Sequence, residues 1–308
     1  MIVIEDGLKK DMPKDNYVAL GSFDGLHTGH ISLISEAVAM AKKYSGNSMV
    51  FTFKNHPKTL LMDNFNEELL MSNKRKKEIL EDHNVDSIVL KTFDYKFMKI
   101  TAEDFIKNLV FNYNAKGIVA GFNYRFGYMN EGNIETLKKY QAKYGYKLFI
   151  LEPCIYKDGV ISSTRIRKEL KKGNVQDAFK MLDRPYELEG KVVCGRQIGR
   201  TIGFPTANLS TDKKYVIPLN GVYYSNVRVN NKIYRGITNV GNNPTVNGEK
   251  RTVETHILDF DENIYGIEMN LYFIDKIRDE KKFSGIDDLK RQIEKDKNFA
   301  IKQKIVIN

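Results

Sequence analysis

Short apolar runs alternate with helical patterns through the first half of the chain. Five runs have the length and composition of buried strands, at residues 17–21, 49–53, 86–90, 117–121 and 147–151. Four stretches between them carry apolar residues at helical spacing, at residues 29–44, 72–83, 101–113 and 131–144. The third of these has one apolar face, made by Phe105, Ile106, Leu109 and Val110. This alternation predicts an α/β fold with a parallel sheet and right-handed crossovers, whose ligands bind beyond the carboxyl ends of the strands.

The pattern changes in the second half, where strand-like runs follow one another without helices between them. A helical stretch at residues 164–182 comes first, and five β-rich segments follow at residues 186–193, 221–229, 232–238, 251–260 and 267–277. Asn230 and Asn231 have the composition of a tight hairpin turn, and a last helix is predicted at residues 287–297. Consecutive strands with short turns predict an antiparallel barrel or sandwich. We therefore expect two domains, at residues 1–183 and 184–308.

The amino-acid composition excludes several classes of protein but does not by itself indicate a function. The chain has 308 residues, 42% of them hydrophobic and 29% charged, which is a globular composition. No stretch approaches the roughly 20 apolar residues of a membrane span, and no secretory signal is recognisable. Two cysteines, Cys154 and Cys194, without paired or metal-like spacing favour a reducing cytoplasm. The net charge of +10 suits polyanionic nucleotides as well as nucleic acid, and we expect its densest run, residues 74–77, to be a solvated helix face.

The segment GSFDGLHTGH, at residues 21–30, joins the first strand to the first helix. Gly21 and Gly25 permit tight turns and a close approach of the backbone to a ligand. His27 and His30 lie at the helix start, where free N–H groups and the helix dipole favour an anion. The spacing is that of neither the P-loop nor the dinucleotide fingerprint. The segment therefore predicts a phosphate site of another type, in which two imidazoles stabilise developing charge.

This string resembles the signature GxFDGxHxGH of prokaryotic FAD synthetases, within the nucleotidylyltransferase superfamily. The resemblance implies a Rossmann-like domain in which His27 and His30 contact the phosphates of ATP as catalytic residues, and in which Phe23 and Asp24 belong to the phosphate site with both glycines. A second element, ISSTRIR at residues 161–167, also resembles the family. Ser163 or Thr164 can cap the following helix, which puts Arg167 in its first turn as a third phosphate ligand.

Two segments at strand ends are predicted to bind the flavin. FTFKNHP, at residues 51–57, follows the second strand and supplies Asn55 and His56, with a plain strand exit as the alternative. GFNYRFG, at residues 121–127, follows the fourth strand, and Tyr124 and Phe126 have rings that can stack on an isoalloxazine. Asn123 departs from the resemblance, since relatives commonly carry Asp there. Asparagine keeps the hydrogen bonds but not the negative charge, which puts flavin affinity and the adenylylation rate in question.

A glycine-rich loop, GRQIGRTIGFPTAN at residues 195–208, follows the first strand of the second half. Gly195, Gly199 and Gly203 leave its amides free to wrap a phosphate, with Arg196 and Arg200 adding charge. At its end Thr206 and Asn208 present hard oxygen ligands two positions apart, which suits Mg²⁺ held together with ATP. The loop thus predicts a second nucleotide site with a metal ion.

This loop resembles the signature of riboflavin kinases, and further segments continue the resemblance through residues 221–223, 239–246, 253–260 and 277–283. Glu254 matches the catalytic carboxylate of that family, and the resemblance implies that it acts as general base on the riboflavin 5′-hydroxyl. Asn239 and the loop around Pro244 are expected to shape the flavin pocket.

Both resemblances together indicate the bifunctional riboflavin kinase/FAD synthetase family and cover nearly the whole chain. They imply riboflavin, FMN and ATP as partners, with Mg²⁺ accompanying ATP and FAD as a product. We expect a cytoplasmic monomer or weak homo-oligomer without membrane or nucleic-acid partners. Two alternatives stay open: a riboflavin kinase whose adenylylating half has weakened at Asn123, and a flavin-sensing or RNA-binding protein on the same fold.

Overall fold

The computed structural model describes residues 1–7, 12–55, 60, 68–195, 198–211, 215–245 and 248–307. Its internal contacts divide the chain into two compact units. The first unit comprises Met1–Glu67 and Ser72–Ser162, and the second comprises Glu68–Met71 and Ser163–Asn308. The helical region that follows Ser162 thus groups with the second unit, whereas the sequence puts the domain boundary at 183/184, which stays a prediction.

The first unit is built on a six-stranded sheet in which every neighbouring pair of strands is parallel. Its strands are β1 (Ile2–Glu5), β2 (Asn16–Leu20), β3 (Asn47–Phe53), β4 (Ser87–Lys91), β5 (Ala115–Gly121) and β6 (Lys147–Leu151). Their order across the sheet is β1-β4-β3-β2-β5-β6. The predicted parallel sheet is confirmed, with β1 as an additional edge strand.

Five α-helices lie between these strands: α1 (Thr28–Lys43), α2 (Asn73–Asp82), α3 (Tyr95–Met98), α4 (Ala102–Lys107) and α5 (Ile134–Tyr144). The helix predicted at residues 101–113 is α4 followed by a π-helical turn, Asn108–Asn112. Its predicted apolar face is confirmed, because Phe105, Ile106 and Leu109 are buried in the core of this unit and Val110 packs against it. A short hairpin, β7 (Ile155–Tyr156) and β8 (Gly159–Val160), follows the sheet.

The second unit begins with two helices, α6 (Ser163–Lys171) and α7 (Val175–Leu182), where the sequence predicts one. Gly173 lies between them with φ +82°, a left-handed conformation that ends the first helix. A side chain at this position would meet the Tyr223 hydroxyl and the end of Lys276 at 3.1–3.2 Å. The single predicted helix was wrong because glycine offers a sharp stop that apolar periodicity does not reveal.

A closed barrel of six antiparallel strands makes up the rest of the second unit. The barrel strands are β9 (Tyr186–Val193), β10 (Ala207–Ser210), β11 (Gly221–Val229), β12 (Lys232–Thr245), β13 (Gly248–Ile257) and β14 (Glu268–Arg278). Two helices accompany them: α8 (Ile198–Thr201), between β9 and β10, and α9 (Ile286–Ile301), after β14. The predicted hairpin turn is confirmed, since Asn230 and Asn231 have φ of 50° and 58°. Arg278 fastens α9 to the barrel through an ion pair with the buried Asp296 at 2.9 Å.

Candidate functional sites

The segment of residues 21–30 leaves β2 at the carboxyl edge of the first unit's sheet. From β2 the chain proceeds through β3 and β4 towards one edge, then returns to place β5 and β6 on the other side of β2. The order of strands therefore reverses between β2 and β5, and ligands of open α/β sheets bind at such a switch point. The loops after β2 and β5, residues 21–27 and 122–127, flank this position, as the sequence predicts for nucleotide and flavin contacts.

The backbone of the loop after β2 is held in conformations that most residues avoid. Phe23 and Leu26 have φ of 48° and 37°, and Gly25 has φ of 81°. Gly21 is required for another reason, because a Cβ there would lie 2.9 Å from the ring of Phe23. Left-handed conformations at non-glycine residues cost about 1–3 kcal/mol each and occur mainly where function needs them. Asp24 is buried within the same loop.

The two histidines of this segment lie together at the start of α1. His27 is the N-cap residue, and its Nδ1 accepts a hydrogen bond from the backbone N–H of His30 at 3.3 Å. The two imidazoles stack with ring centroids 3.6 Å apart, and the ring of Phe23 meets His30 edge-on at 5.2 Å. The predicted placement of both histidines at the start of a helix is confirmed, and the stacking of their rings is a finding of the structure. Their contact with phosphate stays a prediction.

Lys76 reaches the same loop from α2, within the basic run expected to be a solvated face. It is only 5% exposed, and its ammonium donates to the backbone carbonyl of Ser22 at 3.3 Å. The hydroxyl of Thr52 donates to the same carbonyl at 2.8 Å. The expectation that residues 74–77 form a solvated helix face was wrong for Lys76. A helix turns every 3.6 residues, so one residue of a four-residue run can face the protein interior, and here that residue is Lys76.

The predicted flavin contacts occupy different environments. Asn55 holds the backbone of Phe93 with both ends of its amide, donating to the carbonyl at 3.0 Å and accepting from the N–H at 2.9 Å. His56 lies outside the described residues. The two hydrogen bonds of Asn55 to the backbone of Phe93 stabilise the local fold. The contact of Asn55 with flavin stays a prediction.

In the loop after β5, Phe122 and Asn123 are exposed, Tyr124 is partly buried and Phe126 is buried. Tyr124 stacks on Phe126 at 5.7 Å, and Phe126 packs against Phe105 in the core at 5.3 Å. Burial raises the pKa of Tyr124, so its hydroxyl stays protonated at neutral pH. The rings are in contact with one another, and stacking on an isoalloxazine stays a prediction.

Arg167 belongs to the second unit by its contacts and lies in the first half of α6. Its side chain is buried, and Nε donates to the backbone carbonyl of Glu68 at 2.8 Å. Because α6 begins at Ser163, Ser163 and Thr164 are its first two residues and not its cap, and Arg167 is its fifth residue, beyond the first turn in which the sequence places it. The assignment of these three residues to ATP stays a prediction.

The glycine-rich loop of the second unit folds back on itself before β10. The N–H of Phe204 donates to the carbonyl of Gly199 at 2.8 Å, and Gly203 has φ +88°. Gly195 lies against the side chain of Asn208, where a Cβ would be 2.3 Å from the amide nitrogen. Arg196 and the side chain of Arg200 lie outside the described residues. Glycine at 195 thus makes room for a predicted metal ligand.

Three polar residues predicted for the second site are brought together by strand pairing. Asn208 on β10 and Asn239 on β12 both lie directly opposite Glu254 on β13, one on each side. Residues opposite one another in an antiparallel pair have their side chains on the same face. Glu254 is half-buried and its neighbours Val253 and Thr255 are buried. The barrel register therefore aligns a carboxylate with two amides, although these residues are far apart in the sequence.

A cavity of about 350 Å³ adjoins Thr206 at the end of the barrel. Phe260 and the segment Asp261–Tyr265 line one side of it, and Val192, Ala207 and Ile257 line the apolar part. Sequence reasoning did not assign the residues of this segment, because nothing in their composition sets them apart from an ordinary loop. Within the described part of the chain no three His, Cys, Asp or Glu residues cluster as a metal site.

The two arrangements define the class of protein: a nucleotidylyltransferase-like α/β sheet joined to an antiparallel barrel with its own polar site. The family model of FAD synthetase matches residues 9–165, and that of riboflavin kinase matches residues 182–304. The chain belongs to the family of bifunctional riboflavin kinase/FMN adenylyltransferases. The family resemblance of both halves is thereby confirmed.

Curated relatives of that name match over almost the full chain. The one from Bacillus subtilis (strain 168) is 33% identical over 96% of this chain and 94% of its own length. The one from Haemophilus influenzae is 36% identical over 92% of each chain, and the one from Escherichia coli (strain K12) is 33% identical over 92% and 91%.

A solved structure matches with a TM-score of 0.91 and 36% identity, covering 99% of this chain and 100% of its own. It is described as a macrolide-efflux protein from Streptococcus pneumoniae. Among the described residues of the present chain, none of the helices has the length and apolar character needed to cross a membrane.

Proposed function

We propose that the protein makes both flavin cofactors, FMN and FAD, from riboflavin and ATP. The observation that carries this is the presence of both family matches in one chain, with relatives of the bifunctional name covering more than nine-tenths of it. In the first reaction the 5′-hydroxyl oxygen of riboflavin attacks the γ-phosphorus of ATP, giving FMN and ADP. In the second, a phosphate oxygen of FMN attacks the α-phosphorus of another ATP, giving FAD and pyrophosphate.

Glu254 is the general base of the first reaction in this proposal. As riboflavin attacks, its hydroxyl proton passes to the carboxylate, and the bond between the γ-phosphorus and the bridging oxygen of ADP breaks. The flanking amides of Asn208 and Asn239 support the assignment, because they supply polar partners on the same face. Asn239 and the end of β12 around Pro244, a strand where the sequence predicts a loop, shape the flavin pocket. Gly195, Arg200 and Gly203 approach the phosphates, and the cavity beside Thr206 is open to the rest of the nucleotide.

Mg²⁺ would be held by Thr206 and Asn208. A hydroxyl and an amide oxygen are hard ligands of the kind that Mg²⁺ takes alongside water and phosphate. The close fit of Gly195 against Asn208 supports a fixed position for that amide. When bound, the ion would neutralise phosphate charge. Thr206 and Asn208 orient the nucleotide, and Glu254 receives the proton.

Adenylylation takes place in the predicted N-terminal domain, residues 1–183, and needs no covalent intermediate. His27 and His30, stacked at the start of α1, neutralise phosphate charge as it develops, and Arg167 adds a fixed positive charge. Gly21, Phe23, Asp24 and Gly25 bring the loop backbone to the nucleotide, and Ser163 and Thr164 offer hydroxyl and amide donors. The flavin contacts are Asn55, His56, Asn123, Tyr124 and Phe126, of which Asn123, Tyr124 and Phe126 lie in the loop after β5, beside the switch point.

The direct test is to incubate the purified protein with riboflavin, ATP and Mg²⁺ and to separate the yellow products by chromatography over time. FMN should appear first and FAD later, with one pyrophosphate released per FAD. Omission of ATP and addition of EDTA are the controls. Unchanged riboflavin after prolonged incubation would refute the first reaction, and supplied FMN that stays unconverted with ATP and Mg²⁺ would refute the second.

Two rivals give different results in the same assay. A riboflavin kinase with a weakened adenylylating half forms FMN but leaves supplied FMN unconverted. A flavin-sensing or RNA-binding protein turns over neither substrate and binds nucleic acid with steep salt dependence. We also expect a monomer or weak homo-oligomer active in the cytoplasm, which sedimentation and cell fractionation check.

A further inference from the structure

His256 lies two residues beyond Glu254 on β13, on the same face of the strand. Its Nδ1 lies 2.8 Å from the backbone carbonyl oxygen of Pro205. A carbonyl only accepts hydrogen bonds, so Nδ1 carries the proton and donates it. The bond links the strand of the predicted catalytic carboxylate to the residue immediately before Thr206.

The hydrogen bond between His256 and Pro205 lies next to the last paired residues of β10 and β13. The ladder between β10 and β13 pairs Asn208 with Glu254 and Ala207 with Thr255. The same register, continued by one residue, sets His256 opposite Thr206. Strand pairing with β13 holds the chain at Ala207 and Asn208, after Thr206. The imidazole of His256 holds it at Pro205, before Thr206. Thr206 is therefore fixed from both sides.

The imidazole is partly buried and has one aromatic neighbour. The ring of Phe204, which is buried, meets it edge-on with centroids 5.5 Å apart and planes at 81°. Burial lowers the pKa of His256, with the Pro205 carbonyl acting in the opposite direction. Of the charged groups on α9, Lys297 lowers the pKa further and Glu294 raises it. The ring is thus neutral at pH 7 and adds no positive charge beside the predicted Mg²⁺ ligands.

We propose that His256 is a positioning residue for the riboflavin kinase reaction, acting by holding the Pro205–Asn208 segment so that Thr206 and Asn208 present their oxygens to Mg²⁺·ATP. This rests on the proposed function. Groups that orient metal ligands from behind typically contribute about 10–100-fold in metal affinity or activity. His256 does not touch the reacting atoms, so its loss should affect metal and nucleotide saturation more than the saturating rate.

The test compares three variants of the full chain: His256→Leu, His256→Asn and His256→Gln. The amide nitrogen of asparagine takes nearly the place of Nδ1 and can donate to the Pro205 carbonyl, whereas that of glutamine takes the place of Nε2. FMN formation is measured against Mg²⁺ concentration at fixed ATP, and against ATP at fixed Mg²⁺. FAD formation from supplied FMN, in the same preparation, controls for folding and concentration.

We expect the leucine and glutamine variants to need about tenfold more Mg²⁺ both for half-maximal FMN formation and, in calorimetry without riboflavin, for binding of ATP. The asparagine variant should stay within about threefold of wild type, and FAD formation should stay unchanged in all three. Unaltered Mg²⁺ and ATP saturation in the glutamine variant, or an asparagine variant as impaired as glutamine, would overturn the inference even if the leucine variant does not fold. Failure of the wild-type chain to form FMN would instead overturn the proposed function.

Discussion

The two candidate sites are built in opposite ways. The first is local: ten consecutive residues form a strand end, a strained turn and a helix start, and His27 and His30 meet because a helix cap brings residues three apart together. The second is assembled across the barrel, where Asn208, Glu254 and Asn239 come from three strands and meet only because of their register. A local site depends on backbone conformation, whereas a barrel site depends on strand pairing.

This difference implies that each site can be disabled without affecting the other. The first site is supported by its loop and by Lys76 and Thr52 beneath it, all in the first unit. The second is supported by ladders within the barrel. A substitution at one site should therefore change one activity, and the following predictions run from the largest expected effect to the smallest.

Glu254→Gln should have the largest effect, because it removes the proton acceptor while keeping shape and polarity. We expect FMN formation to fall by about 10²–10⁴-fold, the usual contribution of a general base. FAD formation from supplied FMN should be unchanged. Initial rates of both reactions measure this, with Glu268→Gln on β14 as the matched barrel control. Equal loss of both activities would contradict the separation of the sites.

His30→Ala should impair the other reaction. Removing one donor that stabilises a developing anion costs about 10²–10³-fold in rate, so FAD formation from FMN should fall by that factor. Riboflavin phosphorylation should continue at the wild-type rate. His83→Ala, at the carboxyl end of α2, is the control histidine. A fall in riboflavin phosphorylation alone would count against the assignment.

Lys76→Met tests the support beneath the first loop. The buried ammonium donates to the Ser22 carbonyl, and a hydrogen bond from a charged group contributes about 1.5–3 kcal/mol, so we expect FAD formation to fall by roughly tenfold or more. Lys76→Arg should recover part of the loss, and Lys74→Met on the exposed side of α2 should change little. Kinetics against ATP concentration measure the effect. A rate equal to that of Lys74→Met would show that the contact is unimportant.

Asn123→Asp should have the smallest effect. Asn123 is exposed, so solvent screens the charge that aspartate would add, and an interaction between exposed charges contributes about 0.2–1 kcal/mol. We therefore expect FAD formation within about fivefold of wild type. A large increase would indicate instead that asparagine has weakened the adenylylating half, as the rival interpretation holds.

Much of the fold was predictable, because strand and helix periods are local properties of the sequence. The core strands, the hairpin at Asn230–Asn231 and the histidine pair were all predicted correctly. The break at Gly173 was missed, and so was β10, whose four residues lie within the motif that ends the glycine-rich loop. A short strand such as β10 forms because of the strands that it pairs with, and the local sequence pattern carries no information about those partners.

The sequence predicts candidate residues for both sites but not the contacts that support them. The burial of Lys76 follows from its position on the inner side of α2, and the contact of His256 with Pro205 follows from the register of β10 and β13. Both depend on which elements become neighbours. The same holds for the ring of Phe126, which lies in the core beside Phe105 rather than open on the loop.

The most direct test of two independent sites is to mix the two inactive variants. Glu254→Gln alone and His30→Ala alone should each fail to make FAD from riboflavin, the first for lack of FMN and the second for lack of adenylylation. An equimolar mixture with riboflavin, ATP and Mg²⁺ should make FAD, because FMN released by one chain is a substrate for the other. A mixture that accumulates FMN without FAD, or makes neither, would contradict the account.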